Sequence, residues 1–338
     1  MKIGILTFHW ATNYGAVLQC YALQEYLRDQ GHDVEIINYK PWHFDFWAKY
    51  IRRPWLLKNL RKDLIARKKE SKLMLFRSQY LNTTKRFYSA AQMTKAQMNY
   101  DVVISGSDQV LNASYTAGGE NCPTSAYYLD AFEKALRIGY AVSFGCNNYP
   151  HEALSYAQKW INNFNKIGVR ETTGLSILDQ MGYQGMKTLV PDPTILRGAK
   201  LFNNINIDYP SVKNYLCAYI LRKHIEIKGD NVIYIDDYNN PLSMEQWLGT
   251  IIGSNGLLTN SYHGMIMAIL NHVPFVVLAD SANMNDRFIT LLSNMSLTER
   301  IVIHAEDYEL IMARPINWDT VEDRISEYRE KGANFLGF

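Results

Sequence analysis

The residues best suited to chemistry stand where apolar runs give way to short polar ones. In LLTNSYHGMIMAILNHVPFVVL, Ser261, Tyr262, His263 and Gly264 fall between an expected strand and an expected helix. Free backbone N–H groups and the positive end of a helix dipole suit an anion at such a junction, and a serine hydroxyl adds a donor. His263 is then a candidate general acid, general base or phosphate ligand. The plainer reading has Ser261 capping the helix and His263 satisfying a buried carbonyl. In KIGVRETTG, Arg170 and Glu171 end a strand ahead of a helix marked by Thr172 and Thr173. An arginine at that edge points into the crevice, where its planar fork grips a carboxylate or phosphate. The plainer reading is a surface Arg170–Glu171 pair.

Three further stretches place polar groups at strand ends. The opening loop runs from His9 to Gly15, where Gly15 permits close backbone approach and Asn13 caps the next helix while still facing a ligand. It has neither GxGxxG nor the lysine of a P-loop. In ISGSDQVLN, Gly106, Ser107, Asp108 and Gln109 follow a strand; Asp108 is a candidate acceptor-side base and also a good helix cap. In VPDPT, Asp192 before Pro193 reads first as a turn at the domain junction.

The elements that must hold these residues alternate along the chain. KIGILT reads as a buried strand, AVLQCYALQEYLRDQG as a helix ending at Gly31, and DVEIINY as the next strand. That is a βαβ unit, which forces a parallel sheet with a right-handed crossover and a ligand crevice at the strands' C-terminal ends. Strands are expected at DVVIS, RIGYAVSFG, KIGVRE and TLVPDPT, with helices through HEALSYAQKWINNF and TTGLSILDQMG. The second half restarts with YLCAYIL, a weakly helical stretch, NVIYID, GLLTNS and PFVVLAD. Its helices run through SMEQWLGTIIGSN, HGMIMAILNHV, DRFITLLSNM and TVEDRISEYREKG. The expectation is two doubly wound Rossmann-like α/β domains facing a central cleft, a GT-B-like layout, with residues 1–197 on the acceptor side and 198–338 on the donor side. The last helix is a candidate to pack back on the first domain. Within the first domain Lys49–Tyr80 is basic and amphipathic, expected as helix packing its leucines, Trp55 and Phe76 on that domain; residues 49–72 are the alternative candidate for peripheral membrane contact.

With 338 residues the chain fits two domains, and 47% hydrophobic against 20% charged residues is a globular profile. A net charge of +2 gives no overall footprint for nucleic acid, so local groups must hold any anionic ligand. No leader pattern or apolar run of spanning length is seen, and the expected location is the cytoplasm, at most the inner face of its membrane. Cys20, Cys122, Cys146 and Cys217 are scattered without metal-ligand spacing, so buried thiols are expected and no metal site.

Taken in order, ILTFHWATNYGAVLQCYALQEYL, VVISGSDQVLN, GVRETTG, VPDPTIL, SMEQWLGTIIGSNGLLTNSYHG and DRFITLLSNMSLTER resemble the polysaccharide pyruvyl transferase family across nearly the whole chain. The resemblance implies a GT-B-like fold and transfer of a pyruvyl group from phosphoenolpyruvate, as donor substrate without a cofactor. The acceptor it implies is a sugar of a capsular, cell-wall or exopolysaccharide unit, free or lipid-linked, and the usual product is a cyclic ketal. The histidine of the S-x-H-G stretch and an arginine near the junction carry over to His263 and Arg170. Some members place an arginine two residues before that histidine, where this chain has Ser261; Arg222, Lys223 or Arg287 is left to supply the charge, and no spacing rule selects among them. On this reading His263 and Asp108 are catalytic, and Arg170, Ser261, Tyr262, Gly264 and Arg222 bind the donor. Asn13, Tyr14, Gly15, Ser107 and Gln109 serve the acceptor or its loop. A nucleotide-sugar glycosyltransferase and a non-catalytic protein of the same fold are the alternatives; homo-oligomerisation stays open.

Overall fold

Short apolar strands alternate with helices through both halves of this protein. The structure is a computed structural model that describes residues 1–52, 54–117, 123–221, 225, 227, 231–236, 239–279, 286–304 and 307–337. In the first half β1 (Lys2–Leu6), β2 (Asp33–Ile36), β3 (Val102–Ser105), β4 (Leu136–Val142), β5 (Lys166–Val169) and β6 (Met186–Leu189) form one sheet, ordered β2-β1-β3-β4-β5-β6. All its pairs are parallel, with β1 between β2 and β3 at the point where the order reverses. In the second half β7 (Leu216–Tyr219), β8 (Val232–Tyr234), β9 (Gly256–Thr259), β10 (Phe275–Leu278) and β11 (Ile301–Val302) give a second sheet, ordered β11-β10-β9-β7-β8 and again parallel throughout. The central strands are apolar on both faces, as strands covered by helices on both sides must be. The two Rossmann-like domains expected from the sequence are therefore present.

The helices begin where their caps allow. Asn13 accepts from the Ala16 N–H to start Tyr14–Asp29, and Ser243 with Gln246 forms a reciprocal capping box on Met244–Ile252. One buried apolar cluster runs across both halves, through Tyr14 and Ile195 on one side and Trp247 and Ile266 on the other. The helix Trp318–Leu336 lies on the first sheet's side: Tyr328 donates to the Val190 carbonyl at 3.1 Å, and Lys166 donates to the Leu336 carbonyl at 3.1 Å.

Four local expectations are corrected. RIGYAVSFG leaves the sheet at Val142, after a register shift between Gly139 and Val142. TLVPDPT stops as a strand at Leu189, and Asp192 caps a short helix, Pro193–Arg197, instead of turning a free junction. The basic segment is helical over Phe46–Arg52 and Leu60–Tyr80, but its apolar residues are not confined to one side: Leu73 and Phe76 are buried while Leu64 and Leu75 are exposed. Trp55, expected to pack on the first domain, is 67% exposed. Cys20 and Cys217 are buried thiols, whereas Cys146 is only half-buried, and Cys122 lies outside the described residues. The stretch expected to be weakly helical, between β7 and β8, also falls largely outside them. Among the described residues no helix is long and apolar enough to cross a membrane.

Candidate active site

At the seam a buried ion chain joins three of the motifs. Arg170, one residue past β5, places Nη2 3.0 Å from Oδ2 of Asp192, with both side chains essentially out of solvent. His263 of the helix Tyr262–Leu270 brings Nε2 to 3.5 Å from the same oxygen, an ion-pair distance too long for a well-formed hydrogen bond. The other carboxylate oxygen accepts from the Thr194 N–H at 2.9 Å and its hydroxyl at 2.6 Å. Burial alone would raise the Asp192 pKa, but Arg170 and His263 outweigh it and hold the carboxyl well below the usual carboxylate range. Asp192 is thus a fixed anion that holds an arginine of one half beside a histidine of the other.

Ser107 completes the floor. Its hydroxyl donates to the Ala141 carbonyl at 3.0 Å and accepts from Arg170 Nη2. Its backbone N–H donates to Gln19 Oε1 at 3.2 Å, while Gln19 Nε2 reaches the Thr7 hydroxyl at 3.1 Å. Buried Gln19 therefore ties the loop after β1 to the loop after β3. Its sequence context, inside a helical apolar run, gave no sign of this.

Arg287 supplies a second cation. Its guanidinium carbon lies 5.6 Å from the Tyr262 ring centroid, and that of Arg170 lies 5.2 Å from it. Burial, and then the neighbouring Arg170 charge, lower the Arg287 pKa. Nε of Arg170, Nε of Arg287 and Oε2 of Glu171 are all buried with no hydrogen-bond partner. Two close guanidiniums with unused donors are an arrangement that an anion stabilises. A small cleft opens beside Arg287, lined by Gln109, Ser143, Cys146, Glu171, Thr173 and Arg287; Arg170, Asp192 and His263 lie behind its lining. Glu171 is buried and accepts from the Ser143 hydroxyl at 2.6 Å, so the surface Arg170–Glu171 pair is replaced by two separate buried interactions. Burial raises its pKa, against the pull of Ser143 and Arg170.

The remaining expected residues divide. Gly15 stands directly under His263 and Asn13 caps its helix, so that loop meets the histidine of the other half. Ser261 accepts from the Gly264 N–H at 3.2 Å, which commits that N–H to the cap. Tyr262 is buried, with both guanidiniums set against its ring. Asp108 has a backbone φ of +85° and accepts from its neighbour's N–H, Gln109, instead of capping a helix; the next helix is capped by Asn112. Tyr14 is a correction: it is no loop residue but is buried, stacked on Trp247, and donates to the Leu242 carbonyl at 2.7 Å. Arg222 and Lys223 lie outside the described residues; Arg287, the third candidate cation, stands in this site. Asp192 is the member whose importance the sequence understated; its signal was Asp-Pro directly after a strand.

Two parallel sheets whose strand ends meet at one cleft define the GT-B class. In the UDP-GlcNAc 2-epimerase of Methanocaldococcus jannaschii, solved with UDP-GlcNAc and UDP, the fold aligns with a TM-score of 0.52 at 12% identity over 100% of both chains. The Neisseria meningitidis UDP-GlcNAc 2-epimerase bound to UDP-GlcNAc aligns with a TM-score of 0.50 at 10% identity, over 98% of this chain and 99% of that one. Such identities speak for the fold alone. A comparison with curated proteins finds no match. Residues 13–281 match the family model for polysaccharide pyruvyl transferase, and the chain belongs to that family.

Proposed function

We propose that this protein transfers the pyruvyl group of phosphoenolpyruvate to a sugar hydroxyl of a glycan or glycan precursor. The observation that carries the reading is the pair of guanidiniums, Arg170 and Arg287, flanking Tyr262 beside His263 in a member of this family. Phosphoenolpyruvate carries a carboxylate and a phosphate, and two fixed cations suit two anionic groups. Protonation of its methylene carbon makes C2 electrophilic, and a sugar hydroxyl adds there and loses its proton. The C2–O bond to phosphate then breaks, and a second hydroxyl closes the ketal, its proton leaving with inorganic phosphate. His263 is assigned the proton transfers, Arg170 and Arg287 the donor anions, and Asp108 with Asn13 the acceptor side. Loss of a positioned acid/base group costs on the order of a hundredfold in rate, which is the expectation for His263→Ala.

A second reading, a nucleotide-sugar enzyme, is favoured by the fold likeness to epimerases solved with UDP-GlcNAc. Thermal unfolding with phosphoenolpyruvate, UDP or pyruvate separates the two. A ligand at a hundred times its dissociation constant stabilises the folded state by about 2.7 kcal/mol. Selective stabilisation by phosphoenolpyruvate, followed by phosphate release with a sugar acceptor, is the expected result. A response to UDP alone transfers the assignment to the nucleotide-sugar reading, and binding without turnover on any acceptor favours a non-catalytic role.

A further inference from the structure

The basic segment takes no part in the site, yet it is the most unusual surface of the molecule. From Lys49 to Tyr80 it carries eleven lysines and arginines against two acids, Asp63 and Glu70, a net of +9 in a chain whose total is +2, which leaves −7 for everything else. Both acids are already engaged, Asp63 accepting from the Tyr50 hydroxyl and Glu70 pairing with Arg77. In this stretch and just before it, large apolar side chains stand in solvent: Trp47 is 55% exposed, Ile51 76% and Trp55 67%, with Leu57 and Leu64 exposed as well. Exposed lysines, Lys58 and Lys68, are interspersed among them.

We infer that this segment is a docking surface for an anionic lipid bilayer. Tryptophan prefers the headgroup level, aliphatic side chains the acyl boundary just below it, and a basic cluster is drawn to anionic headgroups. All three are present in one segment. A second copy of this chain fits poorly, because it would set one strongly basic segment against another. A nucleic acid would use the charges and could stack on the indoles, but it offers nothing to Ile51, Leu57 or Leu64. The segment is also tied to both halves. Thr12, beside the helix cap Asn13, donates to Glu70 at 2.7 Å, and Lys72 donates to the Pro241 carbonyl of the second half at 2.7 Å.

The test is density-gradient flotation of the whole protein with phosphatidylcholine vesicles, with or without about 30% phosphatidylglycerol, at low and high salt. Trp47→Ser/Trp55→Ser and Lys58→Glu/Lys68→Glu serve as variants, all at exposed positions where folding is checked by thermal unfolding. The expected result is flotation with the anionic vesicles only, reduced by high salt and weakened about tenfold or more by either double variant. No flotation of the parent protein overturns the inference, as does binding indifferent to the tryptophans. Tighter binding to a single-stranded oligonucleotide than to the vesicles, or a dimer that the tryptophan variant dissociates, also overturns it and assigns the surface to that partner.

Discussion

A Cβ placed on Gly15 would stand 2.0 Å from Nδ1 of His263, although the two residues belong to opposite halves of the molecule. Contacts that short do not occur in folded proteins, so the helix Tyr14–Asp29 can pass beneath the imidazole only with glycine at that position. The glycine is required by the ring's approach, since it sits in ordinary helical backbone.

Gly15→Ala is therefore expected to push the His263 ring out of line with Asp192. Overpacking of this kind costs about 1–3 kcal/mol. A displacement near 1 Å at a reacting group costs on the order of a hundredfold in rate. Turnover and thermal unfolding measured side by side check both. Near-normal turnover in the alanine variant would mean that His263 is not held where the reaction needs it.

Asp192→Asn keeps the shape of the junction and removes its charge. Arg170 and His263 are then left facing a neutral amide in a buried site, and breaking a buried pair in this way destabilises by roughly 3–5 kcal/mol. The Asp192 contribution is present above the unfolded carboxylate range and is lost as pH falls through the lower folded value. Denaturant unfolding at neutral pH is the measurement. A loss near zero would show that Arg170 finds a substitute anion, Asp108 and Glu171 being the other carboxylates that act on it.

Which parts were legible in the sequence follows from what each signal encodes. The alternation of apolar strands and helices reports burial, so both sheets and most strands could be read in order. The family resemblance likewise rested on motifs at strand ends, which is where the fold places them. Contacts between the halves are different, because nothing in a local window says that Arg170 and His263 share one carboxylate oxygen. Tyr14 was misassigned for the same reason: it looks like a loop residue until Trp247 is seen against it. The five-residue helix after Asp192 was hidden by its shortness, and β11, with two residues, was too short for any pattern. The exposure of Trp55 was missed because helical spacing shows where apolar residues recur and not whether a partner covers them.

The Tyr14–Trp247 stack measures the coupling between halves. The rings are 5.1 Å apart at an interplanar angle of 9°, and Trp247 is fully buried. Trp247→Ala is expected to destabilise by about 3–5 kcal/mol. Tyr14→Phe keeps the stack, loses the hydrogen bond to the Leu242 carbonyl, and should cost about 1 kcal/mol. A double-mutant cycle with Tyr14→Ala should return roughly 0.5–1.5 kcal/mol of coupling beyond burial. Additive losses would mean that the stack is incidental packing.

The pH dependence of stability should be set on its acid side partly by His9. This residue is buried in the loop after β1, with Nδ1 3.2 Å from the Thr7 carbonyl and Nε2 3.1 Å from Asn38. Burial is the main reason its pKa falls to about 4; its hydrogen bonds oppose the fall, and the charges of Arg77 and Lys40 reinforce it. An unfolded histidine takes up its proton near pH 6.5, so between there and about 4 the unfolded chain binds a proton that the folded one refuses. The contribution of His9 is thus fully present above the unfolded value and disappears as pH falls toward the folded one. At about pH 4.5 the loss amounts to roughly 2.5 kcal/mol. His9→Gln cannot titrate, so its unfolding free energy should decline less than the parent's over this interval, whatever the other groups contribute to both. Denaturant unfolding of the two proteins across that range is the measurement. Parallel curves would show that the His9 ring accepts its proton in place, with Asn38 Oδ1 and the Thr7 carbonyl as ready acceptors for both N–H groups.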